Sequence, residues 1–366
     1  MRRIIDAFRI TRILTVLKSQ RCGMSLAARC FLAWAMLYAP GNGGIIWPTK
    51  ELARDSIENE LAPMFRQNPA LESLMPPRAI DFRQFKLRLD NHCYIQTGWA
   101  TSLNTMIAKT LRYLYLEEPA EYENAKLDIK EFSSARTTTW RDRATIAIFG
   151  HPRTRQDAMW AAWEQAPVKL FWHRPCPHCE QYFPPAWQNV RLGLPDDFRR
   201  EHGNVAAATY ALLNDTAWEE CPHCHAEIRE HHKHDMNLRG VWAAEDAQIT
   251  EEEIDREHQL QIELAHFTGD PKPYKYGNII WMHLDRGIEQ HHLGFHISAI
   301  YSPWVSYSEL AMHWLNAQGN AGRLVNFFAT YLGWLYEPES KGVARSIFTK
   351  KRDTAPPPRL LPPWTT

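Results

Sequence analysis

The sequence predicts an α/β fold in which helices flank a parallel sheet that carries a small cysteine-rich insertion. Residues 10–49 alternate between strand-like and helix-like patterns, and residues 112–116 and 144–149 are short, continuously apolar runs. Such runs are typical of strands that are buried on both faces, as strands of parallel sheets are. The third observation is a pair of identical Cys-Pro-His-Cys motifs, which marks the insertion.

The first 65 residues contain a strand–helix–strand unit and then a further helix. Residues 10–17 are rich in branched apolar side chains, which favours a strand. Residues 26–39 have the composition of a helix, which a proline and a glycine-rich turn then end. Residues 45–47 begin the second strand, and residues 51–65 are predicted to form the next helix. A βαβ unit of this kind implies parallel strands.

The later part of the chain is less regular. The first of the two apolar runs ends in Glu117 and Glu118, and the second ends in Gly150-His151-Pro152. Residues 294–336 are rich in aromatic side chains and are predicted to be helical. From Lys350 the chain is basic and then proline-rich, which predicts a disordered tail.

Composition excludes several classes of protein. The 366 residues are enough for one large domain or two, and 42 basic residues balance 42 acidic ones. A strongly basic, histone-like binder is therefore excluded, although a local basic groove is not. Residues 24–40 are the one candidate membrane or signal segment, but they are too short to span a bilayer and include Arg29. We expect a buried helix there, and a cytoplasmic protein with no membrane partner.

Four of the seven cysteines stand in two doublets with metal-ligand spacing. They are Cys176, Cys179, Cys221 and Cys224. An odd total with paired short spacings indicates metal binding in a reducing compartment, not a secreted disulfide framework. Two such pairs place four thiolates around one ion at about 2.3 Å each. The sequence therefore predicts one structural zinc site.

Other interpretations of the cysteines stay open. The four thiols would be unligated if the spacing were coincidental, and His178, His223 or His225 stands close enough along the chain to replace a cysteine as ligand. A catalytic zinc is disfavoured because four sulfur ligands leave no open position for water.

The segment between the first strand and the first helix lies where a phosphate-binding loop would be. Its residues are Lys18, Ser19, Gln20, Arg21, Cys22, Gly23, Met24 and Ser25. Backbone amides and a helix N-terminus attract phosphate at such a place. The sequence of this segment departs from the standard phosphate-binding-loop motif, because Lys18 stands at the first position and Met24 stands where lysine is usual. A plain strand–turn–helix that binds no ligand is the alternative.

The acidic pair Glu117 and Glu118 adds to the case for nucleotide chemistry. In phosphoryl-transfer enzymes an acid at a strand end holds Mg²⁺, and a neighbouring residue positions or deprotonates the attacking water. The alternative is a solvated acidic turn before Pro119. The order of loop and acids on buried strands predicts a P-loop NTPase-like fold of the class with an additional strand and a catalytic glutamate (ASCE).

The succession of motifs resembles the lambda-type (GpA-type) phage terminase large subunits. Residues 18–25 resemble that family's deviant Walker A motif, which lysine opens. Further similar segments are 47–49, 53, 61–64, 98–102, 112–118, 136–138, 146–154, 176–179, 221–224, 240–242, 295–303 and 327–333. The resemblance therefore runs from about residue 14 to residue 336, and the order of the motifs is more specific than any one of them.

The resemblance implies an ATP-driven motor subunit that packages viral DNA, with Mg-ATP and a structural zinc as cofactors. Lys18 would contact phosphates, Ser25 and Glu117 the Mg²⁺, and Glu118 the attacking water. Arg21 would offset transition-state charge. The implied partners are double-stranded DNA, the small terminase subunit, the procapsid portal and further copies of the chain.

Several departures from the family lead to a further expectation. The first acid is Glu117 where aspartate is usual, and Gly150-His151-Pro152 replaces Ser-Thr-Pro in the coupling motif. The segment that helps to hold adenine and the C-terminal nuclease are both expected to be missing. After Asp270 the aspartates are Asp285 and Asp353 alone, and the glutamates there lie in helical or loop-like contexts, not after apolar strands; they are Glu289, Glu309, Glu337 and Glu339. We expect a truncated copy of the family, such as a prophage remnant, that does not cut DNA.

The expected organisation has four parts. They are an ATPase core (1–170), a zinc-knuckle insertion (171–245), a closing segment of the ATPase region (246–340) and a disordered basic, proline-rich tail (341–366). Two other functions stay open beside the motor subunit. One is a zinc-containing module that binds DNA or protein without hydrolysis, and the other, ranked last because its sulfur site is closed, is a zinc-dependent hydrolase.

Overall fold

The computed structural model describes residues 4, 5, 7, 8, 11–76, 82–102, 109–122, 129–245, 247, 249 and 292–336. The expectation of a disordered tail and the aspartates at 270, 285 and 353 lie outside these residues. Among the described helices, none has the length and apolar character that crossing a membrane requires.

The fold is built on one large sheet. Its strands are β1 (Ile13–Lys18), β2 (Gly43–Trp47), β3 (Phe82–Arg83), β4 (Lys86–Arg88), β5 (Tyr94–Trp99), β6 (Tyr113–Glu117), β7 (Thr145–Gly150), β8 (Val168–Pro175), β9 (Tyr182–Phe183), β13 (Val241–Ala243) and β14 (His292–Ile297). Their order across the sheet is β13-β8-β14-β1-β7-β6-β2-β5-β4-β3, and β9 pairs with β8. The seven neighbours from β8 to β5 are parallel. The predicted parallel α/β sheet is confirmed.

Helices connect and cover the strands. They are α1 (Met24–Tyr38), α2 (Lys50–Asp55), α3 (Ala62–Gln67), α4 (Pro69–Glu72), α5 (Ile129–Thr137), α6 (Ala158–Glu164), α7 (Phe198–Leu213), α8 (Lys233–Leu238), α9 (Tyr307–Ala317) and α10 (Ala321–Phe327). The single helix predicted over 51–65 is interrupted by a π-helical turn at Ser56–Leu61. Helices α2, α6 and α9 each begin with a side-chain cap, from Thr49, Asp157 and Ser306. Such a cap contributes on the order of 1 kcal/mol.

Apolar side chains cover both faces of the sheet. On β6, Tyr113 and Tyr115 belong to one buried cluster, whereas Leu114 and Leu116 belong to the other. Successive side chains of a strand point to opposite faces, so both faces of β6 are dry. This explains why the central strands are mostly apolar and why the charged residues of β1 and β6 stand where those strands end.

The expectation that residues 294–336 are helical is wrong at its beginning. His292–Ile297 forms β14, which lies between β8 and β1 inside the sheet. All six residues of this strand are buried, and its two histidines find partners there: His292 Nε2 is 2.9 Å from Thr15 Oγ1 and His296 Nε2 is 2.8 Å from Leu332 O. Helices α9 and α10 follow only after this strand.

The cysteine-rich insertion is attached to one edge of the sheet. Its first and last strands, β8 and β13, are paired antiparallel, with Trp172 opposite Trp242. Between them lie α7, α8 and a three-stranded antiparallel sheet of β10 (Val190–Arg191), β11 (Trp218–Glu220) and β12 (Glu227–Ile228). Ala207 and Ala211 of α7 share a buried cluster with Leu310 and Leu315 of α9. The insertion therefore shares a core with the segment that follows β14.

Candidate functional site

The carboxyl ends of three neighbouring parallel strands bring the predicted nucleotide-site residues together. Lys18 ends β1, Glu117 ends β6 and Gly150 ends β7. Strand β7 lies between the other two, with Leu17 opposite Gly150 and Glu117 opposite Phe149. Crevices at the carboxyl edge of parallel sheets are the usual ligand sites of α/β proteins.

The loop between β1 and α1 is held by backbone contacts. The Ser19 amide donates to Ile297 O at 2.8 Å, and the Gln20 amide donates to Thr330 O at 2.7 Å. Gly23 has φ +81°, in the left-handed region that glycine adopts without strain, and α1 begins directly after it with no side-chain cap. The first amides of this helix have no capping side chain, which is the arrangement that attracts an anion.

Lys18 and Glu118 form a close ion pair. The Lys18 ammonium lies 2.5 Å from Glu118 Oε1, and the Lys18 side chain is only 8% exposed. Burial lowers the pKa of Lys18, but the neighbouring acidic groups, Glu118 foremost and then Cys22 and Glu117, together raise the pKa of Lys18 overall. The lysine is therefore charged and is paired with the acid predicted to act on water.

Glu118 is held in place from several sides. Its Oε2 accepts from the His151 amide at 3.0 Å and lies 2.8 Å from His151 Nδ1. Burial opposes ionisation of this group, yet hydrogen bonding by His151 and the charge of Lys18 lower the pKa of Glu118 to about 2. Its backbone adopts φ +50°, and a Cβ on Gly150 would lie 2.7 Å from Glu118 Oε2. Glycine at position 150 makes room for this carboxylate.

Glu117 faces the other end of the loop. Ser25 Oγ donates to Glu117 Oε2 at 3.0 Å, and burial raises the pKa of Glu117 to about 8 although Lys18 opposes the shift. Two neighbouring ligands of an octahedral Mg²⁺ at about 2.1 Å lie roughly 3.0 Å apart. The Ser25 and Glu117 oxygens therefore have the spacing of two adjacent ligands of one such ion. Glutamate reaches this position despite its extra methylene.

Arg21 lies in the loop between β1 and α1. Its side chain is exposed, and its charge acts on Tyr331, where it partly offsets the burial that raises the pKa of that phenol. The role that the resemblance implies for Arg21, to offset charge in the transition state, stays a prediction.

The four predicted zinc ligands converge. Among the described residues they are the group of metal-ligand side chains that meets at one point, with all four sulfurs within 4.8 Å of one another. The Sγ atoms of Cys176 and Cys224 are 3.8 Å apart, as are those of Cys179 and Cys221. Tetrahedral Zn–S bonds of about 2.3 Å require S–S distances of about 3.8 Å. The donor set fits a structural zinc ion.

The two Cys-Pro-His-Cys motifs fold in the same way. Cys176 N donates to Gln181 O and Cys221 N donates to Ala226 O, each at 3.0 Å. In both, the residue four places after the first cysteine adopts a left-handed backbone, at φ +59° and +60°. The amide two places after that cysteine points at its sulfur, at 3.4 Å in both motifs. Amides directed at sulfur stabilise the thiolate form that a metal needs.

The nearby histidines contact other groups. His178 Nε2 lies 3.1 Å from Glu227 O, and His225 Nδ1 lies 3.4 Å from a Glu220 oxygen. The four sulfurs thus form the donor set by themselves, which favours the four-cysteine site over one with a histidine ligand.

A buried polar cluster that sequence reasoning missed connects the zinc centre to the sheet. Arg174 donates to both oxygens of Glu219 at 2.9 and 2.8 Å, and both side chains have zero exposure. Tyr307 of α9 donates to Glu219 as well, at 2.9 Å. Arg174 and Glu219 each stand two residues before the first cysteine of a Cys-Pro-His-Cys motif. This repeated position is the feature of the sequence from which the ion pair could have been predicted.

The comparisons with known proteins agree with the class that the fold and site define, a mostly parallel α/β sheet with a nucleotide-type loop and a cysteine cluster. The family model described as phage terminase large subunit gpA, ATPase domain, matches residues 1–242 of the 366. The chain therefore belongs to the gpA family of phage terminase large subunits. No curated protein matches the chain.

A second family match corrects one of our expectations. The model described as terminase large subunit gpA, endonuclease domain, matches residues 292–366. The expectation that the chain is truncated before the nuclease region is therefore not supported. That expectation rested on where the carboxylates stand and on the basic, proline-rich composition after Lys350, and the matched range includes both. The match begins at β14, inside the parallel sheet.

Solved structures with some similarity are also terminases. The large terminase ATPase domain of Thermus phage P74-26 has a TM-score of 0.41 at 11% identity, covering 89% of each chain. A mutant of that domain has a TM-score of 0.32 at 15% identity, covering 43% of this chain and 66% of its own. The large terminase of bacteriophage HK97 has a TM-score of 0.34 at 16% identity, and the match covers 44% of this chain and 33% of that one.

Proposed function

We propose that this chain is a large terminase subunit that hydrolyses ATP and couples hydrolysis to the movement of viral double-stranded DNA. One observation carries the proposal. Ser25 and Glu117 meet at 3.0 Å beside the Lys18–Glu118 pair, at the carboxyl edge of the sheet. In P-loop NTPases the loop hydroxyl and an acid at a strand end hold the Mg²⁺ of the nucleotide together.

Each residue has a distinct part in the proposed reaction. Ser25 and Glu117 would hold Mg²⁺, which neutralises charge on the phosphates. Lys18 supplies a buried positive charge at the mouth of the loop, and the uncapped first turn of α1 supplies backbone amides. Glu118 orients the attacking water, with His151 keeping its carboxylate in one position through Oε2. When Lys18 pairs with phosphate, it leaves its ion pair with Glu118. Oε1 of Glu118 is then available to the attacking water.

The zinc centre supports the fold and takes no part in the reaction. The four cysteine thiolates would fill all four positions of a tetrahedral zinc ion, which leaves none for substrate. The four-part division made from the sequence stays a proposal, with residues 1–170 supplying the nucleotide loop and acids and residues 171–245 the zinc centre.

The proposed partners follow from the family. Double-stranded DNA would be contacted through its phosphates without sequence reading, which makes binding depend strongly on salt. The small terminase subunit, the procapsid portal and further copies of this chain complete the assembly, in the cytoplasm of the host cell.

Steady-state ATP hydrolysis by purified protein, measured with and without Mg²⁺ and double-stranded DNA, tests the proposal. Wild type should turn over ATP only with Mg²⁺, and Glu118→Gln should retain ATP binding while losing turnover at least a hundredfold. Glu51→Gln, which changes an exposed acid on α2, is the matched control and should behave as wild type.

The same measurements separate the alternative function. A module that binds DNA or protein without hydrolysis would show no Mg-dependent turnover above the Glu118→Gln background. The replacement of aspartate by Glu117 favours that alternative, so Glu117→Asp provides a direct comparison. If hydrolysis is equal in wild type and Glu118→Gln, the acidic pair is not the catalytic centre.

A further inference from the structure

The π-helical turn at Phe328–Leu332 is attached directly to the loop between β1 and α1. Thr330 O accepts from the Gln20 amide at 2.7 Å, and Leu332 O accepts from His296 Nε2 at 2.8 Å. The last four carbonyls of a helix have no partner within that helix. The loop and β14 therefore supply partners that the turn itself lacks.

Gly333 ends this turn and lies against the backbone of the loop. Its φ of +61° is in the left-handed region that glycine adopts without strain. A Cβ at this position would lie 2.7 Å from Lys18 C and 2.8 Å from Ser19 N and Ile297 O. Carbon atoms in contact are normally about 3.5–4.0 Å apart, so a side chain here would displace the loop or the turn by roughly 0.8 Å. All three neighbours are backbone atoms, which cannot rotate away as the end of a side chain does.

These contacts divide the amides of the loop into two groups. The Ser19 amide donates to Ile297 O at 2.8 Å, and the Gln20 amide is the one bound by the turn. Both amides are used by the fold, so contacts with a phosphate fall to the amides that follow them. There Gly23 adopts φ +81°, and α1 begins without a side-chain cap, which is an arrangement that attracts an anion.

We propose that Gly333 is a positioning residue of the nucleotide site, which holds the loop so that the amides after Gln20 bind the phosphates. The inference rests on the proposed function, because the loop is positioned for a ligand only if it binds nucleotide. It extends the nucleotide site beyond the ATPase-domain match, which ends at residue 242. Residues 297–333, which hold the loop, lie within the range that matches the endonuclease-domain model.

The first test is Gly333→Asn, measured by titration calorimetry with Mg-ATPγS on the full chain. Asparagine tolerates a left-handed backbone, so this variant adds a Cβ against the loop with little backbone strain. Gly319→Asn is the matched control, because Gly319 also follows a helix end and has φ +78°, but an added Cβ there meets nothing within 4 Å. Gly294→Ala controls for stability, since its Cβ would lie 2.8 Å from the ring of Trp163 and not against the loop.

Gly333→Asn should weaken Mg-ATPγS binding at least tenfold, because one lost hydrogen bond to a charged group costs about tenfold or more in affinity. Gly319→Asn should bind like wild type. Gly294→Ala should lower the urea midpoint of unfolding, while its folded form keeps the wild-type affinity. If Gly333→Asn likewise lowers the urea midpoint and leaves the affinity unchanged, its role is structural only and the proposal is overturned.

Amide hydrogen exchange of the wild type at residue resolution is the second test, and it does not depend on whether Gly333→Asn folds. Ser19 and Gln20 should be protected without nucleotide and should change little when Mg-ATPγS is added, whereas residues 23–25 should gain protection with the nucleotide. Protection of Ser19 and Gln20 that appears only with the nucleotide would overturn the proposal. A wild type that does not bind Mg-ATPγS overturns the proposed function, and the positioning role with it, even where Ser19 and Gln20 are protected.

Discussion

Replacing Glu219 with leucine should destabilise the protein by about 3–5 kcal/mol, because it leaves the Arg174 charge buried without its counter-ion. Both side chains are fully buried, and Arg174 has no other carboxylate partner among the described residues. Its Nε and Nη1 already lack hydrogen-bond partners there, so removing Glu219 leaves the guanidinium without any carboxylate. Tyr307 would lose its acceptor in the same step.

The neighbouring residue provides a matched control. Glu220 also binds an arginine through two bonds, from Arg191 at 3.0 and 2.9 Å, but these side chains are 27% and 44% exposed. Solvent screens such a pair, so Glu220→Leu should lower the free energy of unfolding by only about 0.2–1 kcal/mol. Urea unfolding followed by tryptophan fluorescence, at one protein and zinc concentration, measures both changes.

A double variant checks the cause of the loss. Arg174→Met combined with Glu219→Leu removes both charges and should recover most of the stability, because the buried charge is then gone. The reasoning is refuted if Glu219→Leu is no more destabilising than Glu220→Leu. It is equally refuted if the double variant is less stable than Glu219→Leu alone.

Three further predictions concern the two sites and the strand between them. Cys221→Ser should reduce bound zinc from about one per chain to none and should destabilise the insertion. Cys30→Ser changes an exposed cysteine outside the cluster and should retain the metal. Elemental analysis of the reduced proteins measures the zinc content of both variants. Gly150→Ala should lower ATP turnover at least tenfold, because the added Cβ would lie 2.9 Å from Glu118 Cα and would displace this residue. A wild-type turnover rate in the variant would show that the close approach of Gly150 to Glu118 is unimportant for hydrolysis. Burial lowers the pKa of His296 to about 4, against 6.5 in the unfolded chain, so the unfolded state binds more protons between these values. Stability should therefore fall by about 3 kcal/mol as pH drops from 6.5 to 4, and His296→Gln should lose this dependence in urea unfolding at several pH values.

Local features were readable from the sequence because their causes are local. The zinc ligands follow from a two-residue spacing that fits one tight turn, and the structure brings all four sulfurs together. The parallel sheet follows from apolar runs that end in Lys18, Glu117 and Gly150. A strand that is buried on both faces is mostly apolar, so the charged residues that end two of these runs were visible as candidate site positions.

Features that depend on distant pairing were decided by the tertiary structure alone. The segment at His292–Ile297 forms a strand by pairing in parallel with β1 and β8, and its two histidines find partners in Thr15 and Leu332. None of these partners is near it in sequence. The contact of His151 with Glu118 arises because β6 and β7 are neighbours in the sheet. Spacing along the chain determines ligands that share a turn, whereas partners held by sheet order and packing exist only once the whole core has formed.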